Sequence, residues 1–295
     1  MFEQVEKIRR EWAIGDRKRD AGLTVPDDVH VYRDIKYGPY EENLLDVYVP
    51  KGTKKKIDTI ISIHGGGWVY GDKELYKYYC MRLCQRGFAV VNYSYRLAPE
   101  NRYPAGLEDC FKVFGWIRDN HDKYYIDYEN MFMVGDSAGA QLVSQCLTIL
   151  TNRKFAKLYS FDIPEDFRVK ACALNCGVYY LGVNRFFKPS EKSMMRAYLP
   201  DDYLPYIEQL KVSKYVTKDF PPAFVMTAYN DFLKFMAKPF YRRLKRVGVE
   251  CEYHCYGSRE QKEIGHVFHF NCRSEVADIC NDDECAFFRR FSDNE

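Results

Sequence analysis

Met131-Phe132-Met133-Val134-Gly135-Asp136-Ser137-Ala138-Gly139-Ala140-Gln141-Leu142 is the stretch whose reading decides the fold. The apolar run Met131 to Val134 has the length of a short buried strand. It stops at Gly135, and a helical pattern then runs from Gln141 through Leu142, Val143, Cys146, Leu147 and Leu150. Strand, G-x-S-x-G, helix is the setting in which a serine sits on a sharp, strained turn with its Oγ exposed at the edge of a sheet. Its flanking residues must be tiny, because neighbouring backbone would otherwise clash. The N–H groups that open the following helix point at any anion formed beside the serine. Ser137 is therefore the candidate nucleophile around which the chain is read.

Outward from this turn, strand and helix patterns alternate. Toward the N-terminus, Leu107 to Asn120 reads as a helix with Phe111, Phe114 and Ile117 inward, and Phe88 to Tyr93 as a buried strand. Glu74 to Arg86 is helical, with Leu75, Tyr78, Tyr79, Arg82 and Leu83 at helical spacings and Gly87 as its C-cap. Ile57 to Ile63 is apolar and β-branched, as a central strand is. Leu44 to Val49 and the alternating Val29 to Tyr37 are two more strands, preceded by a charged helix over residues 2 to 20 with Val5, Ile8 and Trp12 on one face. Toward the C-terminus, strands are expected at Val169 to Asn175, Pro222 to Ala228 and Val249 to Tyr256. Helices are expected at Lys234 to Val247 and Arg273 to Phe291. Residues 182 to 218 break the alternation with short helical pieces and Pro189, Pro200 and Pro205, and read as an insertion folded over the sheet's C-terminal edge. The fold class is α/β, a mostly parallel sheet with helices on both faces.

Composition sets bounds on function. The chain has 295 residues, 46% of them hydrophobic, enough for one large core, and residues 1 to 295 read as a single domain. A net charge of +2 argues against a nucleic-acid partner. The run Arg242-Arg243-Leu244-Lys245-Arg246 reads as a solvated helix face. No run reaches the roughly 18 apolar residues of a membrane span, and the first residues lack the apolar core of an export signal. Eleven scattered cysteines with no C-x-x-C pair are therefore expected as reduced thiols in a cytoplasmic protein. Cys251, His254 and Cys255 are close in sequence, but His254 points to the other face of its strand, so no metal is expected there. Asn92-Tyr93-Ser94 matches a glycosylation sequon inside a buried strand and is discounted.

A serine hydroxyl needs a base, and the base needs an orienting partner. Of the six histidines, His266 alone follows a strand near the C-terminus in a Gly-flanked loop. Asp231, closing the strand Val225 to Ala228 and its Tyr229-Asn230 extension, is the acid that would hold its tautomer. Ser, Asp, His is the chain order of one of the known triad arrangements. His64-Gly65-Gly66-Gly67 ends the Ile57 strand, and glycines there let backbone N–H groups approach a reacting carbonyl. The N–H groups of Gly65, Gly66 and Ala138 are the expected oxyanion donors. With no G-K-[ST] and no G-x-G-x-x-G spacing, a phosphate loop is disfavoured. Ser137, His64 to Gly67, Asp231 and His266 all follow strands, at the edge where such sheets bind ligands.

Four blocks carry a family resemblance: His64-Gly65-Gly66-Gly67-Trp68 with Gly71-Asp72; Tyr95-Arg96-Leu97-Ala98-Pro99-Glu100 with Pro104-Ala105 and Glu108-Asp109; Gly135 to Gly139; and Asp231 with His266-Val267-Phe268. In this order they resemble the hormone-sensitive-lipase-like esterases, the bacterial family IV carboxylesterases of the α/β-hydrolase superfamily. The resemblance implies that Ser137, Asp231 and His266 form the triad. It implies a small helical cap built from residues 1 to about 25 and about 182 to 218. It implies carboxylesterase activity with no cofactor and no metal, on short acyl esters of small or sugar-like alcohols, acetylated sugars among them. Members are often homodimers. The chain departs from the pattern at Ala140, where glycine is usual, at Phe232, where proline is usual, and in the long polar loop Ser258 to Glu263, which is expected to frame the pocket with the cap. Amide or formamide hydrolysis, and a non-catalytic ligand-binding role, are the alternative readings.

Overall fold

The computed structural model describes residues 2–181 and 189–294. Among them eight strands form one sheet: β1 (Val29–Lys36), β2 (Leu44–Pro50), β3 (Ile57–Ile63), β4 (Ala89–Tyr93), β5 (Ile126–Asp136), β6 (Ala171–Asn175), β7 (Ala223–Ala228) and β8 (Cys251–Tyr256). Their spatial order is β1-β2-β4-β3-β5-β6-β7-β8. β2 runs antiparallel to β1 and to β4, and every pair from β4 to β8 is parallel. The chain leaves β3 for β4 on one side and later returns to β5 on the other. The crevice between the carboxyl ends of β3 and β5 is therefore a topological switch point, where open α/β sheets bind ligands.

β5 is longer than the apolar run Met131 to Val134. It starts at Ile126, which pairs with Ile57 ahead of a register shift that then sets Thr59 opposite Met131. The polar residues Asp127 to Asn130 of this first half masked it in the apolar pattern.

The helices are α1 (Phe2–Asp20), α2 (Lys73–Gln85), α3 (Ala105–Asn120), α4 (Ala138–Thr151), α5 (Arg153–Ala156), α6 (Pro189–Tyr198), α7 (Val212–Tyr215), α8 (Lys234–Arg246) and α9 (Glu275–Arg289). α3, α4 and α8 cover one face of the sheet, α2 and α9 the other. α2 begins where the Asp72 carboxylate caps the Leu75 N–H at 2.8 Å. It buries Tyr76, Tyr79, Cys80, Leu83 and Cys84, so of the residues at helical spacing Tyr79 and Leu83 face inward while Leu75, Tyr78 and Arg82 are half-buried. In α8 Leu244 is buried while Arg242, Lys245 and Arg246 face solvent, as the basic run implied.

α1 lies against α6. The Arg9 guanidinium fixes it to the body by donating to the carbonyls of Val69 and Ala98 and by clamping both carboxylate oxygens of Glu100 at 2.7 and 2.8 Å. Glu100 closes the Tyr95 to Glu100 block. In the same block Arg96 forks onto the fully buried Asp109 and reaches Glu108. The block is thus an internal brace, with its charges paired away from the cavity. The expected insertion is seen as α6, the turn Leu204–Tyr206 and α7; its residues 182–188 lie outside the described residues. All eleven cysteines are free thiols. His254 pairs with Glu252 at 2.9 Å rather than with a cysteine.

Candidate active site

Ser137 stands at the junction of β5 and α4 with φ +51° and ψ −115°, a conformation that L residues rarely adopt. The turn is that tight because Gly135 and Gly139 meet: a Cβ on Gly135 would lie 2.6 Å from the Gly139 backbone, and one on Gly139 would lie 2.0 Å from the Ile63 carbonyl oxygen. The Ser137 N–H donates to the Asn175 carbonyl at the end of β6 at 2.9 Å, tying the turn to the next strand.

The structure brings the three expected side chains together. His266 Nε2 lies 3.1 Å from Ser137 Oγ, and His266 Nδ1 lies 2.8 Å from Asp231 Oδ1. Asp231 is buried and also accepts the Thr227 hydroxyl at 2.8 Å and the Leu233 N–H at 2.9 Å. Burial pushes its carboxyl up, but the imidazole and these donors outweigh burial and hold it below the usual carboxylate range. The carboxylate is therefore ionised and fixes the imidazole with its Nε2 toward the serine. The Phe232 ring stands 4.4 Å from the imidazole. The departure from the usual acid block thus places a half-exposed aromatic wall on His266.

The glycine loop lies one residue out of register with expectation. The Gly65 N–H is already donated to the Tyr76 hydroxyl at 2.7 Å, and Gly65 does not line the cavity. It faces inward because its Cα packs on Asp136, where a Cβ would lie 2.5 Å from Oδ2. Gly66 and Gly67 line the cavity instead, and no acceptor within the described residues takes their N–H groups. Gly66, at φ +92°, makes the turn: its carbonyl accepts the N–H groups of Val69 and Tyr70. The Ala138 N–H, at the first position of α4, has no acceptor within its helix. The free donors are those of Gly66, Gly67 and Ala138, and Gly65 is corrected to a support. His64, fully buried beneath the loop, stacks on Tyr95 at 4.0 Å, and burial pushes its imidazole down to about 4. It remains a neutral packing element.

Two buried acids lie beneath the turn. The Tyr76 hydroxyl donates to Asp136 Oδ1 at 2.7 Å while accepting from Gly65, so one phenol links the glycine loop to the residue before Ser137. Burial raises the Asp136 carboxyl to about 7 against the opposing Tyr76 hydrogen bond. Glu284 of α9 accepts Asn175 Nδ2 at 2.6 Å and the Tyr79 hydroxyl at 3.0 Å, and burial likewise raises it to about 7. Neither Tyr76 nor Glu284 stood out in the sequence, since each lies on an ordinary helical face. Only Asp136 carried a signal, as the residue before Ser137. The thiol of Cys176, just past β6, sits beside the Asp231–His266 pair.

Ser137 and His266 open into a cavity of about 510 Å³. Trp68, Val178, Met194, Met195 and Leu233 give it an apolar wall, and Glu11, Trp12, Asp16 and Arg19 of α1 line it as well. Arg19 is neutralised by Asp16 and Asp20, and Asp16 accepts the Tyr70 hydroxyl at 2.7 Å. Trp68 is locked by stacking on Tyr198 of α6 at 4.5 Å and by donating Nε1–H to Gln141 at 3.0 Å. The polar loop before His266 does not line the cavity, contrary to expectation. The Asn230 side-chain amide holds the carbonyls of Ser258 and Gln261, which turns residues 259–263 outward to solvent.

The model of a family described as alpha/beta hydrolase fold matches residues 60–270. An α/β hydrolase of Acanthamoeba polyphaga mimivirus is 26% identical over 207 residues, 68% of this chain and 59% of the relative. An acetyl esterase of Salmonella dublin is 27% identical over 270 residues, 85% of this chain and 77% of the relative. The match to the mimivirus protein thus spans less than two thirds of that relative's length. The solved structure of esterase B from Lactobacillus rhamnosis superimposes with a TM-score of 0.89 at 24% identity, covering 98% of this chain and 95% of that one. At that identity the superposition speaks to the fold.

Proposed function

The chain belongs to the α/β-hydrolase fold family, and on that premise we propose that it is a serine carboxylesterase acting on short-chain acyl esters. The observation that carries the proposal is the hydrogen-bonded line from Ser137 through His266 to Asp231, opening on a cavity at the sheet's switch point. Ser137 Oγ attacks the ester carbonyl as His266 Nε2 takes its proton, and Asp231 stabilises the imidazolium that forms. The oxyanion is held by the N–H groups of Gly66, Gly67 and Ala138. His266 gives its proton to the departing alcohol, and water then cleaves the acyl-enzyme by the same route. The route uses these side chains, the backbone N–H groups and water.

The wall of Trp68, Val178, Met194 and Met195 suits a short aliphatic acyl group, and the α1 side, with Asp16, Arg19 and Tyr70, suits a small alcohol. An acetylated sugar falls within this class, as does a simple alkyl or aryl ester. α1 and the segment from α6 to α7 act as the cap. Eleven free thiols fit a reducing, cytoplasmic setting, and no helix among the described residues is long and apolar enough to cross a membrane.

The test is a hydrolysis panel of p-nitrophenyl esters from acetyl to decanoyl, peracetylated sugars and matched anilides, run beside fluorophosphonate labelling. The proposal expects label on Ser137, best turnover on the short esters and little on anilides. Faster anilide or formamide cleavage would make the protein an amidase, and absence of label would make it a ligand-binding member of the fold.

A further inference from the structure

We infer that Cys176, Asp231 and His266 form a binding site for a thiophilic divalent cation, zinc or cadmium, whose occupation shuts the triad off. The ligand atoms of the three side chains all lie within 4.8 Å of one another, and this is the one such set of three among the described residues. Thiolate, imidazole and carboxylate are the three ligand types that zinc takes. Bonds of about 2.0 to 2.3 Å at a tetrahedral centre put such ligand atoms about 3.3 to 3.8 Å apart. The cluster therefore needs movements on the order of an ångström, not a rearrangement of the fold.

The member able to make that movement is His266. Its side chain keeps 20% exposure on the cavity side, whereas Asp231 and Cys176 are held in the sheet's edge. Cys176 has φ +47° at the turn leaving β6, and its N–H is tied to the Met226 carbonyl at 2.8 Å, so the thiol's position is fixed by the backbone. The cavity brings solvent to the imidazole. Binding releases the thiol proton to solvent and frees Nδ1 for the metal, the imidazole proton that points at Asp231 passing through solvent to Nε2, and no redox change is involved. With Nδ1 on the metal and the proton on Nε2, the histidine is unable to take the serine proton. The thiolate selects against magnesium and calcium, which prefer all-oxygen sites. The metal here is an inhibitor, separate from the metal-free reaction proposed above.

The inference is tested on the full chain in a non-coordinating buffer. Cadmium is titrated into wild type and into Cys176→Ser, reading the thiolate-to-metal charge-transfer absorption in the ultraviolet. This readout needs no esterase activity, so it stands even if the reaction assignment fails. A difference band present in wild type and absent in Cys176→Ser is expected. In parallel, zinc is titrated into p-nitrophenyl butyrate hydrolysis by wild type, Cys176→Ser and Cys176→Ala, with reversal by EDTA and magnesium as the control ion. Since loss even of an outer-shell partner costs about 10- to 100-fold in metal affinity, both variants should raise the half-inhibitory zinc concentration at least ~10-fold. Equal zinc sensitivity in wild type and both variants, equal inhibition by magnesium, or identical cadmium spectra in wild type and Cys176→Ser would each overturn the site.

Discussion

Replacing Tyr76 by phenylalanine removes one oxygen and leaves the ring in place. That oxygen donates to Asp136 Oδ1 and accepts the Gly65 N–H, both at 2.7 Å, and all three residues are buried or line the cavity floor. Each buried partner left unsatisfied costs about 1 to 3 kcal/mol, and partial relaxation brings the expected total to about 2 to 4 kcal/mol. At roughly 2 °C per kcal/mol for a chain of this size, the Tm should fall by about 4 to 8 °C. The kinetic effect follows from geometry. The Gly65 peptide loses its anchor, and the next two N–H groups, those of Gly66 and Gly67, lose their aim. Complete loss of one oxyanion donor costs about 10²- to 10³-fold in kcat, so misaiming should cost about 10- to 100-fold. The loss should fall on kcat with KM nearly unchanged, because the anion forms only in the transition state. Thermal melts and p-nitrophenyl butyrate kinetics measure both. A Tyr76→Phe protein with wild-type Tm and kcat would refute the hydrogen-bonded link between the loop and Asp136.

Further perturbations separate the remaining parts. Gly66→Ala puts a Cβ 1.9 Å from the Tyr70 carbonyl oxygen at a φ of +92°, so the loop must open and kcat should drop by at least ~100-fold, the scale of a lost oxyanion donor; retained turnover would contradict the tight turn. Asp231→Asn keeps the shape but favours the wrong imidazole tautomer, and kcat should fall on the order of 10⁴-fold, read in the same assay. Glu284 ionises near pH 4.5 when unfolded and near 7 when folded, so the folded state binds its proton more tightly. Its contribution is full below the unfolded value and lost as pH rises through about 7, a swing of about 3 kcal/mol. Glu284→Gln should therefore flatten the fall in Tm between roughly pH 5 and 8; a Tm profile parallel to wild type would remove Glu284 as its source.

What the sequence made legible follows from range. All eight strands and the long helices are written in local apolar patterns, and Ser137, Asp231 and His266 each lie in the segment that follows a strand, on the edge where such sheets bind ligands. The first half of β5 was missed because Asp127 to Asn130 are mostly polar and fall within a register shift that local alternation does not encode. The unpaired loop N–H groups fall one residue later than expected because the fate of the Gly65 N–H depends on Tyr76, eleven positions away on another element. Glu284 was invisible for the same reason: its partners Asn175 and Tyr79 lie more than a hundred residues upstream. The polar loop before His266 was expected at the pocket because it is adjacent in sequence, yet Asn230 holds it outward. The cavity is instead framed in part by α1, α6 and Phe232.

The central claim is that Ser137 is the nucleophile of an ester hydrolase. Purified wild-type and Ser137→Ala proteins compared on p-nitrophenyl butyrate test it most directly, with matched circular dichroism and melting curves to show that both are folded. Loss of a triad nucleophile costs on the order of 10⁶-fold in kcat, so Ser137→Ala turnover should fall to the background rate. Turnover by a folded Ser137→Ala protein within a few-fold of wild type would contradict the assignment.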